Sequence, residues 1–382
     1  MKLNQTLPQL ELPWDMIHLG LGQPSGQLLP SEEIGKAAAH SLSVEARSFL
    51  AYGDARGNPD FRHTLAQFLT GQYSGRVDPE QLLITNGNSQ ALDFICTLFT
   101  RPGDTVLVEE PSYFLALRIF ADHKLNLVSI PVDDEGLRTD ILKEKLETLT
   151  PAFLYTIPTY HNPASVTLSL KRRQDLVSIC AQKNVLVIAD EVYHFLNYSD
   201  DPPPPMGTWC DRCPLISLGS FSKILAPGLR LGWMHTSEKR VTKMAGSGLL
   251  VSGGGFNPFT SEIVNSIVRL GLLTPHIQHL KNIYTKRIET FSSQLKETLP
   301  DQAVFQIPKG GYFIWVRFPE GIDTNAFRKA AQKQKVDFYP GVLFSHKKGL
   351  KNFMRLSFAF YDEDVLTEGA RRLGKVISEH LS

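Results

Sequence analysis

Apolar positions along this chain follow two different rhythms. Between about residue 80 and residue 236, short apolar runs rich in β-formers alternate with stretches whose apolar residues recur at helical spacing. The strand candidates are Leu82–Thr85, Thr105–Glu109, Leu127–Pro131, Ala152–Ile157, Val185–Asp190, Leu215–Gly219 and Leu231–His235. Several are apolar throughout, the pattern of strands covered on both faces of a sheet. Helical candidates lie between them at Ser89–Thr100, Tyr113–His123, Arg138–Leu149 and Leu170–Lys183. This alternation predicts an α/β architecture, a mostly parallel seven-stranded sheet flanked by helices. The last third reads differently. A long helix over Thr274–Leu299 leads to strands at Tyr312–Arg317 and Phe353–Phe358, with helices at Thr324–Gln334 and Asp362–Glu379. That predicts a smaller α+β domain. The division expected is a large domain over 46–273, a small one over 274–382, and an N-terminal segment, 1–45, packing with the small domain. Ligands of such sheets sit at the carboxyl ends of the strands, so the chemistry is sought there.

Composition narrows the classes. The 382 residues carry 40 basic and 39 acidic side chains, a formal net charge of +1, which gives no reason to expect nucleic acid or an anionic membrane as partner. No apolar run reaches the length of a membrane span, and the first residues, MKLNQTLPQLELPWDM, lack the apolar core of a secretory signal. Four cysteines in so long a chain do not make a disulfide framework, and a cytoplasmic setting is expected. Cys210 and Cys213 form a C-x-x-C, but a zinc site would want a second pair or histidines at ligand spacing, so the pair reads as a loop with two thiols. No metal is expected. The Pro-rich stretch Asp200–Pro205 reads as a surface loop.

Several short segments at strand ends carry chemistry. Asp190 closes the apolar strand VLVIAD and is followed by Tyr193. Lys223 follows Gly219-Ser220-Phe221-Ser222 just past a core strand, and desolvation there would lower the pKa of its amine and make it a nucleophile toward a carbonyl. Arg230 stands seven residues further on, and with the serines it suits a phosphate. Asn86-Gly87-Asn88-Ser89-Gln90 joins a strand to a helix, whose free amide groups favour an anion. Asn162 lies in the turn His161-Asn162-Pro163. Arg355 sits in the apolar strand NFMRLSFAF and needs a partner if it faces inward; a carboxylate gripped through two contacts would serve.

In their order and spacing these segments resemble the fold-type I enzymes of pyridoxal 5′-phosphate (PLP). The chain is similar to the class I/II aminotransferase family, most of all its branch with 2-aminoadipate and kynurenine aminotransferases. The resemblance runs from about residue 15 to 378 and rests on GSFSKILAPGLRLGW, with YGDARGNPDFR, NGNSQALD, EEPSYF, HNP, ADEVY and FMRLSFA in the family's order. It implies an aspartate-aminotransferase-like large domain that binds PLP. Lys223 would bond to the PLP carbonyl and later move the substrate proton. Asp190 would pair with the ring nitrogen, Asn162 and Tyr193 would bond the ring's phenolic oxygen, and Tyr113 would stack on the ring. Ser89, Gln90, Ser220, Ser222 and Arg230 would hold the phosphate. Tyr52 would reach the phosphate of a neighbouring subunit, so a homodimer with shared sites is expected. Arg355 would grip the substrate carboxylate, and Gly22, in LGLGQP, would lie in the segment that closes over it. The implied activity is transamination between an amino acid and a 2-oxo acid, with glutamate and 2-oxoglutarate as one pair. A C–S β-lyase on the same fold is the alternative. A PLP-binding regulatory domain is disfavoured, because only some fifteen residues precede the matching region. The Gly-rich run Ser252–Thr260 departs from the family's pattern.

Overall fold

The computed structural model describes residues 15–43, 48–73 and 75–381, so the expected boundary between residues 45 and 46 lies outside the described residues. Its strands are β1 (Ile17–His18), β2 (Leu82–Thr85), β3 (Thr105–Glu110), β4 (Asn126–Asp133), β5 (Gly136–Leu137), β6 (Phe153–Thr156), β7 (Leu186–Asp190), β8 (Leu215–Ser220), β9 (Gly232–Thr236), β10 (Phe313–Arg317), β11 (Val336–Asp337), β12 (Tyr339–Pro340) and β13 (Phe353–Ser357).

The central sheet has the order β2-β9-β8-β7-β6-β3-β4-β5. Pairings among β8, β7, β6, β3 and β4 are parallel, and β9 runs antiparallel to both β8 and β2. The seven expected strands are therefore joined by an eighth, the two-residue β5, which pairs antiparallel with β4. So short a strand leaves no apolar period to read.

The unbroken apolar strands follow from burial on both faces. Leu186 and Ile188 of β7 join one cluster, with Leu92, Phe94 and Ile95 of the helix Asn88–Phe99. Val187 and Ala189, pointing the other way, join a second cluster with Leu176, Val177 and Cys180 of the helix Leu170–Lys183. Cys96, Cys180, Cys210 and Cys213 are free thiols buried in these same clusters.

Beyond the sheet, β10, β13 and β12 form an antiparallel sheet, with Trp315 opposite Arg355. β1 pairs parallel with β11, which ties Ile17–His18 to the C-terminal part. The following helix, Ser31–Ser43, behaves differently from what was expected of 1–45. It packs on the helix Pro258–Arg269, where Ser41 Oγ lies 2.9 Å from Ser266 Oγ. Its buried positions are only Ala37 and Ser41, a narrow stripe of small residues that suits close approach of another helix. Among the described residues, no helix is long and apolar enough to cross a membrane.

Candidate active site

The carboxyl ends of β2, β6, β7 and β8 converge on one cavity of about 450 Å³. Asp190 is the last residue of β7, Lys223 follows β8 by three residues, and Asn162 lies in the loop after β6. Arg355 enters from β13. Together with Gly22, Ser89, Tyr113, Tyr193, Ser220, Ser222 and Arg230 they line this cavity. Of the residues expected at the site, only Gln90 and Tyr52 lie outside its lining. The Gln90 side-chain oxygen accepts from the Asn86 backbone N–H at 3.1 Å, closing the turn before the helix. Tyr52 is 88% exposed on the surface.

Asp190 is a buried carboxylate without a cationic partner in hydrogen-bond contact among the described residues. Oδ1 accepts from Asn88 Nδ2 at 2.7 Å and Oδ2 from the Tyr155 hydroxyl at 2.8 Å. Burial raises its pKa above the usual carboxylate value, against these two hydrogen bonds and the pull of Lys223.

Lys223 donates from Nζ to the Gly22 carbonyl at 2.8 Å. Burial, helped by the charges of Arg355 and Arg230 and opposed by Asp190, pushes its amine down to about 8. Roughly a tenth of the amine is therefore neutral at pH 7, far more than for an ordinary lysine. The position opposite is tight: a Cβ on Gly22 would stand 2.8 Å from Phe313 Cζ, so a side chain there would have to displace that ring.

Arg355 mirrors Asp190. It is buried, it has no carboxylate partner among the described residues, and its fork is held by neutral acceptors. Nη1 donates to Asn162 Oδ1 and Nη2 to the Gly20 carbonyl, each at 2.7 Å, while Nε is buried without a partner. The guanidinium lies 3.9 Å from the Phe313 ring centroid and 4.9 Å from that of Phe344, contacts that favour a cation. Desolvation still lowers it to about 10. Asn162 is set in place by its neighbour. His161 Nε2 lies 3.0 Å from Glu109 Oε2, and Glu109 also accepts from Thr156 Oγ1 and the Ile157 N–H.

The opposite wall presents donors. The helix Asn88–Phe99 starts at Gly87, and the first amide groups of a helix have no partner within it. Gly87 has φ +80°, and a Cβ there would stand 3.1 Å from an Arg230 guanidinium nitrogen. Arg230 itself holds a left-handed conformation, φ +48°, unusual for a side-chain-bearing residue. Asn257 Nδ2 fixes it by donating to the Leu229 and Arg230 carbonyls, so the Gly-rich run supplies a backbone clamp. Ser220 Oγ accepts from the Ser222 N–H at 3.1 Å. Tyr193 is buried edge-on to Tyr312 and Phe313, and burial lifts its phenol. Tyr113 is pushed up to about 12 for the same reason.

Asn88, Tyr155, Gly20, Phe313 and Phe344 were not singled out from the sequence, yet they hold the charged residues. Asn88 stands inside NGNSQ and could have been found there. Tyr155 could not, because its approach to Asp190 depends on strand register.

The whole arrangement matches a known family. Residues 14–373 fit the model for "Aminotransferase class I and II". The chain belongs to that family. This aminotransferase is 36% identical to "Aromatic-amino-acid aminotransferase 1" of Thermococcus litoralis, over 96% of this chain and 89% of the other. It is 30% identical to the "2-aminoadipate transaminase" of Thermus thermophilus, over 93% and 88%. It superposes on the crystal structure of Pyrococcus horikoshii kynurenine aminotransferase with a TM-score of 0.90, at 35% identity, over 96% of this chain and 92% of that one. The aminotransferase is a PLP enzyme, and the residues present fit that cofactor. An unpaired buried carboxylate suits a protonated ring nitrogen, a low-pKa amine suits an aldehyde, and the donor-lined wall with Arg230 suits a phosphate.

Proposed function

We propose that this aminotransferase moves the amino group of an amino acid with a neutral, apolar or aromatic side chain, with glutamate and 2-oxoglutarate as the second pair. The observation that carries the reading is the charge inventory of the cavity. Apart from its tyrosines, its ionisable lining residues are Asp190, Lys223, Arg230 and Arg355, and cofactor and α-carboxylate engage all four. No cation of this protomer's lining is left to read a distal charge, whereas Leu21, Phe114, Leu115 and Tyr339 offer apolar surface. Gln23 lines the same cavity, and its amide is a neutral donor for the distal carboxylate of glutamate.

When bound, PLP supplies the electron-withdrawing ring that lets the Cα–H bond of an amino acid ionise. Asp190 would hold the ring nitrogen by its charge. Asn162 and Tyr193 would donate to the ring's phenolic oxygen, and Tyr113 would cover the ring face. Ser89, the first amides of its helix (Gln90 through its backbone), Ser220, Ser222 and Arg230 would bind the phosphate. Arg355 orients the α-carboxylate, and the segment around Gly22 excludes water. The Lys223 amine, held at the Gly22 carbonyl and lowered to about 8, would serve as the base that takes and returns the substrate Cα proton.

The active unit is a homodimer in the cytoplasm. Tyr52, with Leu50, Leu249 and Val251, is exposed on segments that meet where Gly53 passes Gly254. Such a patch suits an interface in which Tyr52 reaches the phosphate of the partner subunit. The chain is divided as 1–45, 46–273 and 274–382, with Ile17–His18 of the first part paired to the small domain.

The test is a half-reaction screen. Purified enzyme is mixed with each amino acid in turn, following the bound cofactor's absorbance and the 2-oxo acid released. Phenylalanine, leucine and glutamate are expected to react, and Lys223→Ala to abolish all turnover. A preference for aspartate over phenylalanine would overturn the side-chain reading.

A further inference from the structure

Tyr155 sits in the middle of β6 with no exposed surface, edge-on to Phe120 at 5.3 Å, in a cluster with Val108, Ile188 and Ile216. In such surroundings phenylalanine would fill the same volume without the cost of desolvating a hydroxyl. The hydroxyl is nevertheless there, and it donates to Asp190 Oδ2 at 2.8 Å. The register explains how. Tyr155 pairs with Ile188 on β7, and Asp190, two residues on, projects from the same face.

We propose that Tyr155 is a positioning residue for the cofactor: its phenol fixes one oxygen of Asp190 so that the carboxylate meets the ring nitrogen as an anion in a single orientation. The proposal rests on the reading that Asp190 pairs with that nitrogen. Asn88 fixes the other oxygen from a different element, the start of the helix Asn88–Phe99. With one donor on each oxygen, the carboxylate plane is set, and a lone pair on each oxygen stays available toward the cavity. The direction of the bond is settled by chemistry. Burial and the neighbouring carboxylate raise the Tyr155 phenol well above its usual value, so the proton stays on tyrosine. Desolvation of Asp190 works the other way, favouring the neutral acid, and the hydrogen bond from Tyr155 is the first of the influences that oppose it. Without the hydroxyl, Asp190 drifts toward a neutral acid that cannot stabilise a protonated ring nitrogen.

The test uses the full enzyme loaded with PLP labelled with ¹⁵N in the ring. The ring-nitrogen shift is followed against pH in the parent, Tyr155→Phe and Asp190→Asn, beside PLP affinity by dialysis and steady-state kinetics. In Tyr155→Phe the ring nitrogen should lose its proton at lower pH than in the parent. PLP should bind more weakly, and kcat should fall roughly tenfold, the scale of one hydrogen bond to a charged group. The KM for the amino donor should stay within about twofold, because no substrate contact is lost. If the Tyr155→Phe titration matches the parent while that of Asp190→Asn is displaced, the role of Tyr155 is overturned and the Asp190 reading stands. If Asp190→Asn also titrates like the parent, both fall.

Discussion

At one end of the cavity Asp190 is a buried anion, and at the other Arg355 is a buried cation; among the described residues neither has an opposite charge in hydrogen-bond contact. Each is held instead by neutral groups: Asp190 by an amide and a phenol, Arg355 by an amide oxygen, a backbone carbonyl and aromatic faces. Burying a charge without a counter-ion is costly, so both ends are completed by charges on the ligands. The ends differ in what holds them. The holders of Asp190 come from β6, beside β7 in the sheet, and from a helix packed on that sheet. The polar holders of Arg355 come from the loop after β6 and from the turn following β1, neither of them in a strand or helix. An end held by the sheet and its packed helix suits a cofactor that stays. An end assembled from separate segments suits carboxylates that arrive and leave at every turnover.

The largest effect should come from the Asp190 end. Asp190→Asn keeps the shape and removes the charge. Loss of a buried charge pairing is worth about 3–5 kcal/mol, so kcat should fall on the order of a thousandfold. Single-turnover kinetics with a good donor measures this, and a loss under tenfold would break the comparison. Arg355→Lys should act differently. A lysine keeps charge but loses the planar fork, so kcat/KM should fall roughly a hundredfold for donor and acceptor alike. Its retention of PLP should match the parent. If Arg355→Lys lost its cofactor as readily as Asp190→Asn, the two ends would not be separate.

Lys223 stands between the ends and reports on both. Attack on an aldehyde needs the neutral amine. Burial, Arg355 and Arg230 push the pKa down to about 8 and Asp190 pushes up. The rate at which apoenzyme takes up PLP should therefore rise with pH through about 8 and then level. In Arg355→Leu a lowering influence is gone, and the inflection should move up. In Asp190→Asn a raising influence is gone, and it should move down. Stopped-flow absorbance after mixing with PLP gives all three profiles. Shifts of the same sign in both variants would contradict the opposed placement.

Much of this was legible in the sequence, for reasons visible in particular residues. The strands β3, β6, β7 and β8 are buried on both faces, so their apolar runs stand out. Asp190 and Lys223 stand at or just past the ends of such strands, which marked them without any structure. Their supports were hidden. Tyr155 sits in an apolar strand as aromatics commonly do, and only the pairing of β6 with β7 aims it at Asp190. Gly20 contributes a carbonyl, which no residue type announces. Gln90 was expected among the phosphate's holders beside Ser89; its side-chain oxygen accepts from the Asn86 N–H and closes the local turn, a bond that its place in NGNSQ does not announce.

The smallest expected effect probes the assembled end at its most remote support. His18, at the end of β1, accepts the Gly20 N–H on Nδ1 at 3.0 Å, while its Nε2 lies 3.7 Å from Asp337. Gly20 in turn offers its carbonyl to Arg355. Burial pushes the His18 pKa down to about 4, so at neutral pH the ring is uncharged and Nδ1 remains an acceptor. His18→Phe keeps a ring against Tyr339, now 5.0 Å away edge-on, and leaves Asp337 its two bonds from Arg328. What it removes is the acceptor. One neutral hydrogen bond is worth about 1 kcal/mol, so KM for the amino donor should rise about fivefold with kcat unchanged. His18→Gln, which restores an acceptor, should recover part of that loss. Because the parent ring titrates only near pH 4, KM should show no inflection from this group between pH 5 and 8. A fall in kcat with KM untouched would instead tie His18 to the proton transfer at Lys223, and the carboxylate end would then not be held from the segment that follows β1.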